Sequence, residues 1–221
     1  MMLWSGCSSN QNTVTANLYH NATAHYNGYF YAVEKTLEVE KIVLKSLDDD
    51  PNQILRLFPR LDTTLAKSYA KDTEEIIKMA SISIQRHPNS QWVDDNYIQV
   101  GLARLYSCDF QNAIQTFKYV NTKSPDPNSR HIALLHLLRT FIEQGDYERA
   151  EEVFLFLEKE RLNKSNHKNL SLGKAYFYQL RGDYDNMVRN LTSADSKQNK
   201  KDRKGRIYFI IGQVYQKLGF G

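Results

Sequence analysis

Apolar residues along most of this chain recur every three to four positions, the period of a helix lying on a core. One short phrase punctuates them. Cys108-Asp109-Phe110, Gly145-Asp146-Tyr147 and Gly182-Asp183-Tyr184 follow one another at an interval of 37 residues, and Gly219-Phe220 begins a fourth. A small residue followed by Asp and an aromatic suits a tight turn between antiparallel helices. Glycine takes the positive φ that ends the first helix, and Asp caps the second. At constant offsets beyond the turn come Ala113, Ala150 and Met187, where two helices approach, then Phe117, Phe154 and Leu191 one turn further on the same face. Before the turn, Tyr97, Val100, Gly101 and Arg104 align with Leu134, Leu137, Leu138 and Phe141, with Ser171, Lys174, Ala175 and Tyr178, and with Tyr208, Ile211, Gly212 and Tyr215. The pattern predicts helices over 91–107, 110–123, 129–144, 147–160, 167–181, 184–195 and 202–218.

The first part of the chain reads differently. Residues 8–18 are polar and uncharged, which suits a short tether. A helix is expected over 23–47, with Tyr26, Tyr29, Phe30, Val33, Leu37, Ile42 and Leu44 as its buried positions. Asp48-Asp49-Asp50-Pro51 stops it, because the residue before proline avoids helical backbone. Apolar but aperiodic, 53–65 (Ile54, Leu55, Leu57, Phe58, Pro59) reads as a packed crossing loop. A helix over 73–86 follows, capped by Asp72 or Thr73 and closed by His87-Pro88. Three regions result: 1–18, signal remnant and tether; 19–90, helical with a divergent repeat; and 91–221, repeats with an incomplete last unit.

The repeat resembles a tetratricopeptide (TPR) array, whose period is about 34 residues. Three extra residues per unit fall in helices or connections. Pro125 stands where that family places a helix-ending proline, although the next unit has Leu162 there. The resemblance implies an all-α fold, a TPR-like α-solenoid of stacked antiparallel hairpins, because one helix pair cannot bury its apolar face alone. Such a row makes a surface for holding other chains, with aromatics on its concave side as anchors. Its last helix is expected to show Tyr208, Ile211 and Tyr215 to water, as in a fragment or under a covering partner.

Composition changes this picture little. The 221 residues are 41% hydrophobic and 24% charged, ordinary for a globular chain, and a net charge of +4 is too small to argue for nucleic acid. The start is more informative. Leu3-Trp4-Ser5-Gly6-Cys7 resembles the cleavage box of a bacterial lipoprotein, with Cys7 as the acylated residue and Met1–Trp4 as the remnant of a signal.

A second resemblance rests on Tyr19-His20-Asn21-Ala22-Thr23-Ala24-His25-Tyr26-Asn27-Gly28-Tyr29-Phe30, which no TPR explains. With Asp48-Asp49-Asp50, Ile54-Leu55, Ile77-Lys78-Met79-Ala80, His87-Pro88-Asn89-Ser90 and Trp92-Val93-Asp94-Asp95-Asn96-Tyr97, it is similar to the N-terminal part of the PorW/SprE family. These are TPR lipoproteins of type IX secretion and gliding motility in Bacteroidetes. The resemblance implies an outer-membrane lipoprotein facing the periplasm, without catalysis or cofactor, that links protein components of the secretion machine. Its partners are expected to be those proteins and, through the acyl chain, outer-membrane lipid, with no nucleic acid and no small-molecule substrate. The alternatives are a TPR lipoprotein of outer-membrane protein assembly, or the targeting region of an envelope hydrolase.

Candidate chemistry is sparse. His20, His25, His87 and Asp48–Asp50 are possible metal ligands, but His20 and His25 are five apart where helical zinc pairs are four apart. Lys197, Lys200, Lys201, Arg203, Lys204 and Arg206 form a basic cluster without interleaved aromatics, which reads as a solvated loop. Cys108 occupies a turn position taken by glycine elsewhere and reads as a lone structural thiol. No nucleophile with its base, phosphate loop or paired-carboxylate site is recognisable.

Overall fold

The structure, a computed structural model, describes residues 14–23, 28–47, 49–50, 52–195 and 201–219. Within these residues the regular elements are helices, and the fold is all-α: α1 (Val14–Thr23), α2 (Phe30–Lys45), α3 (Thr63–Ser68), α4 (Ala70–Arg86), α5 (Val93–Tyr106), α6 (Phe110–Lys123), α7 (Pro127–Gln144), α8 (Tyr147–Leu157), α9 (Lys164–Leu180), α10 (Tyr184–Asp195) and α11 (Lys201–Lys217).

Packing follows chain order. α2 lies on α4 and α5, α4 on α5, and from α5 to α11 each helix packs on the next, with α5 also touching α7 and α7 touching α9. The periodicity explains this. Asn96, Ala133, Leu170 and Ile207, one repeat apart, are all buried, as are Ala103, Thr140, Phe177 and Val214 further along the same helices. A neighbouring stripe meets the following helix: a Cβ added at Gly101 of α5 would sit 2.4 Å from the Phe117 ring of α6. On α11 that stripe is open, with Tyr208 57% and Tyr215 45% exposed and Ile211 half-buried on the core.

Three sequence expectations need correction. α1 begins at Val14, inside the expected tether. Its far end has tertiary partners, which stabilise short helices more than propensity does: buried His20 brings Nδ1 within 2.8 Å of His87 Nδ1, and Asn21 Oδ1 accepts from the Gln91 amide at 2.9 Å. On α2 the buried stripe is Ala32, Thr36, Val39 and Val43, while Phe30, Leu37 and Leu44 are about half exposed. Small and β-branched residues let α2 lie close to α5, where Thr36 Oγ1 donates to Gln99 Oε1 at 2.8 Å. Finally, α4 starts at Ala70 with no side-chain cap. The Tyr69 ring is anchored first, its hydroxyl donating to the Tyr106 carbonyl at 3.0 Å, and the Tyr69 carbonyl then accepts the Asp72 and Thr73 amides.

The segment 52–62 is non-helical and crosses the row of helices. Ile54, Leu55 and Leu57 pack on a cluster formed by Ala175, Met187, Leu191, Ile207, Ile210 and Val214. A chain portion early in sequence therefore helps to bury the last helices.

Candidate binding surfaces

The repeat turns share one geometry. Gly145, Gly182 and Gly219 have φ of 81°, 71° and 78°, and Cys108 takes the same left-handed backbone at 59°. At the first three turns two amides reach back across the helix end: Asp109 N–H to the Arg104 carbonyl, Asp146 to Phe141 and Asp183 to Tyr178, each beside a bond of three-residue span from Cys108, Gly145 or Gly182. This double closure satisfies carbonyls that a helix terminus otherwise leaves open. Asp146 and Asp183 then cap the next helix, accepting from the amides of Arg149 and Asn186. Asp109 does not; its carboxylate holds the Asn112 side-chain amide instead. Phe110, Tyr147 and Tyr184 are half-buried beside these turns, with Arg181 over the Tyr147 ring and Lys217 over the Tyr184 ring. Ala113, Ala150 and Met187 are fully buried, and Phe117, Phe154 and Leu191 nearly or fully so.

The residues that carry the PorW/SprE resemblance lie partly against one another. Tyr29 stacks on Trp92 with ring centroids 5.0 Å apart, and His20 meets His87, with Tyr19 edge-on to both imidazoles. Burial, reinforced by His20 and Arg86, holds the His87 imidazole below its ordinary pKa. Phe30 and Tyr19 are exposed. Asp94 accepts the Ser124 hydroxyl at 2.6 Å, and the Asp95 charge adds to burial in raising the Tyr29 phenol. Cys7, His25, Tyr26, Asn27, Lys197 and Lys200 lie outside the described residues.

The crossing segment is held through its backbone. Gln179 on α9 accepts from the Leu57 amide and donates to the Leu55 carbonyl, both at 2.8 Å. Gln213 on α11 accepts from the Leu55 amide at 3.0 Å and donates to the Gln53 carbonyl at 2.7 Å. Arg206 grips Asp49 with two hydrogen bonds and donates to the Arg56 carbonyl at 2.7 Å. Glu143 on α7 accepts the Leu61 amide. α7, α9 and α11 thus hold a non-helical chain as a receptor groove holds a peptide, and the ligand is the protein's own segment.

Beneath this segment lies a cavity of about 370 Å³, walled by α2, α7, α9, α11 and Leu57-Phe58-Pro59. Its floor is unusual in carrying charge. Arg139 stacks under the Phe58 ring, 4.7 Å from its centroid, and lies 3.5 Å from the buried Glu143 carboxylate. The Tyr106 hydroxyl donates to Glu40, and that of Tyr176 to Glu143. Burial and the Arg139 charge pull the His136 imidazole down to about 4, so it is neutral at neutral pH. Burial raises Glu143 and, helped by the neighbouring carboxylates, both phenols.

Other features have plain structural accounts. Cys108 is a free thiol packed half-buried at its turn, pushed up by burial and by Asp62 and Glu143. Among the described residues no group of three metal-binding side chains converges, and no helix is long and apolar enough to cross a membrane. No family model and no curated protein sequence matches the chain.

Exposed large apolar residues stand on several helices. Leu155 and Phe156 stand on α8, Tyr119 on α6, and Tyr208, Phe209, Tyr215 and Leu218 on α11. Leu18, Tyr19, Phe30, Leu37 and Leu44 stand on α1 and α2.

Proposed function

We propose that this chain is a non-catalytic protein-binding scaffold, a TPR-like α-solenoid held by an acyl chain on Cys7 at the periplasmic face of the outer membrane. The observation that carries the scaffold reading is the series of left-handed turns at Cys108, Gly145, Gly182 and Gly219, with helices packing on their neighbours in the chain. A row built this way presents long helix faces whose outward residues are free to differ from unit to unit. The outward anchors are Leu155 and Phe156 on α8 and Phe209 on α11, about half exposed. Aromatic side chains of this kind concentrate binding energy at interfaces.

The envelope assignment rests on the resemblance of Tyr19–Phe30 and Trp92–Tyr97 to the PorW/SprE family, supported by the contact of Tyr29 with Trp92. In that reading the scaffold links protein components of a type IX secretion and gliding apparatus. The test is site-specific photocrosslinking in a Bacteroidetes host, with a crosslinking amino acid at Phe156 or Phe209 of the full-length native protein. Adducts with secretion-machine components in the outer-membrane fraction are the expected result. Recovery of the protein in the cytosol alone, or adducts confined to outer-membrane assembly factors, overturns the assignment.

A further inference from the structure

The cavity under the crossing segment contains donors that the protein does not satisfy. Among the described residues, the Arg139 Nε is buried without a hydrogen-bond partner, its nearest acid being the Glu143 carboxylate, paired with it at 3.5 Å. Arg206, which lines the same cavity, likewise has a buried Nε with no acceptor, although its terminal nitrogens are engaged by Asp49 and the Arg56 carbonyl. A guanidinium carries five N–H groups in a fixed fork, and leaving such donors unmet away from water is unfavourable. Most native buried polar atoms have partners, so two such orphans on one cavity need an explanation.

Beside Glu40, His136, Asn169, Tyr106 and Tyr176, the rest of the wall is mainly apolar. Leu57, Leu135 and Leu172 face the same space, and its volume of about 370 Å³ lies in the range of small-molecule sites. Phe58 covers one face of the Arg139 guanidinium, which leaves the planar edge as the recognition element. A carboxylate matches that edge with two parallel hydrogen bonds. The two acids near this edge are already engaged: Glu40 accepts the Tyr106 hydroxyl, and Glu143 accepts that of Tyr176.

We propose that this cavity binds a small amphipathic carboxylate, its head on the Arg139 guanidinium and its apolar body along Leu57, Leu135 and Leu172. A single carboxylate head and a hydrocarbon body, as in a medium-chain fatty acid, use both kinds of wall. The site is separate from the outward scaffold surfaces and stands whether or not those carry partners.

The test is titration calorimetry of the whole chain with dodecanoate, dodecanol and dodecyltrimethylammonium, each kept below micelle formation. Dodecanoate is expected to bind one per chain, at least about tenfold more tightly than the alcohol or the cation, because a charge-assisted bond to arginine is lost with either. The double variant Arg139→Gln/Glu143→Gln removes both partners of the internal ion pair, so no lone charge stays buried. It is expected to bind dodecanoate and dodecanol alike. Leu172→Trp fills the apolar wall and is expected to weaken both ligands; circular dichroism verifies that each variant is folded. Absence of dodecanoate binding to the native chain, or equal affinity for the three amphiphiles, overturns the proposal without any variant. So does unchanged dodecanoate affinity in a folded variant.

Discussion

Gly101 and Gly212 occupy the same repeat position on α5 and α11, and alanine at the two sites is expected to act with opposite sign. Within a helix interior, Gly→Ala gains about 0.8–1.0 kcal/mol of propensity at either site. At Gly212 nothing lies within 4 Å of the new Cβ, so the gain stands. At Gly101 the Cβ falls 2.4, 2.7 and 2.9 Å from three carbons of the Phe117 ring. That ring is fully buried and must retreat by roughly 1 Å to reach ordinary contact at about 3.5–4.0 Å. Overpacking of this kind costs about 1–3 kcal/mol. Because propensity cancels, the difference between the two variants measures the clash alone. For a chain of this size it separates their melting temperatures by roughly 2–12 °C, with Gly212→Ala above the native protein and Gly101→Ala below Gly212→Ala. Thermal melts followed by circular dichroism read the gap, and hydrogen exchange in α5 and α11 separates global effects from local ones. Gly101→Ala combined with Phe117→Leu should recover at least about 0.5 kcal/mol relative to the sum of the single changes. If both alanines raise stability equally, α5 and α6 do not pack as closely as described.

Gly182→Ala has open space around its Cβ and a φ of 71°, so it should destabilise by about 1–2 kcal/mol through backbone strain alone, read in urea melts. Stability should fall as pH drops from about 6.5 towards about 4. His136 is held at about 4 by burial and Arg139, and His87 is shifted the same way, so the unfolded chain takes up protons first. The contribution, on the order of 3 kcal/mol for His136, is complete above the unfolded value, and His136→Gln should flatten that slope in urea melts across pH. Gln179→Ala and Gln213→Ala each remove two bonds to the crossing segment. Trypsin should then cut faster after Arg56 and Arg60 in the pair of variants than in the native chain, and an unchanged rate refutes the role given to these glutamines.

What the sequence reveals is what recurs in it. The turn phrase marks the glycines as left-handed positions, and the constant interval places Cys108 in the same turn, where the structure adds the same backbone. Ala113, Phe117 and their repeats were legible for the same reason. Asp109 shows the limit: the letter recurs, but its carboxylate binds only the Asn112 side chain, whereas Asp183 binds both the side chain and the backbone amide of Asn186. The α2 stripe was misread because large apolar residues looked like the core, whereas close packing on α5 selects Ala32 and Thr36. The cavity left no trace in the pattern. Arg139, Glu143 and His136 sit among the periodic leucines of α7 as ordinary interruptions, and their partners lie on α2, the crossing segment and α9. Nothing local announces that Gln213 meets Gln53.

A row of helices touching only its neighbours can lose its end units one at a time, each with its own small free energy. Here the non-helical segment 52–61, together with Asp49, is tied to α7, α9 and α11, so it acts as a strap. The strap joins the last helix to the rest: α11 cannot peel away without releasing residues some 150 positions earlier. Such long closures slow folding, and they should turn piecemeal fraying into one concerted melt.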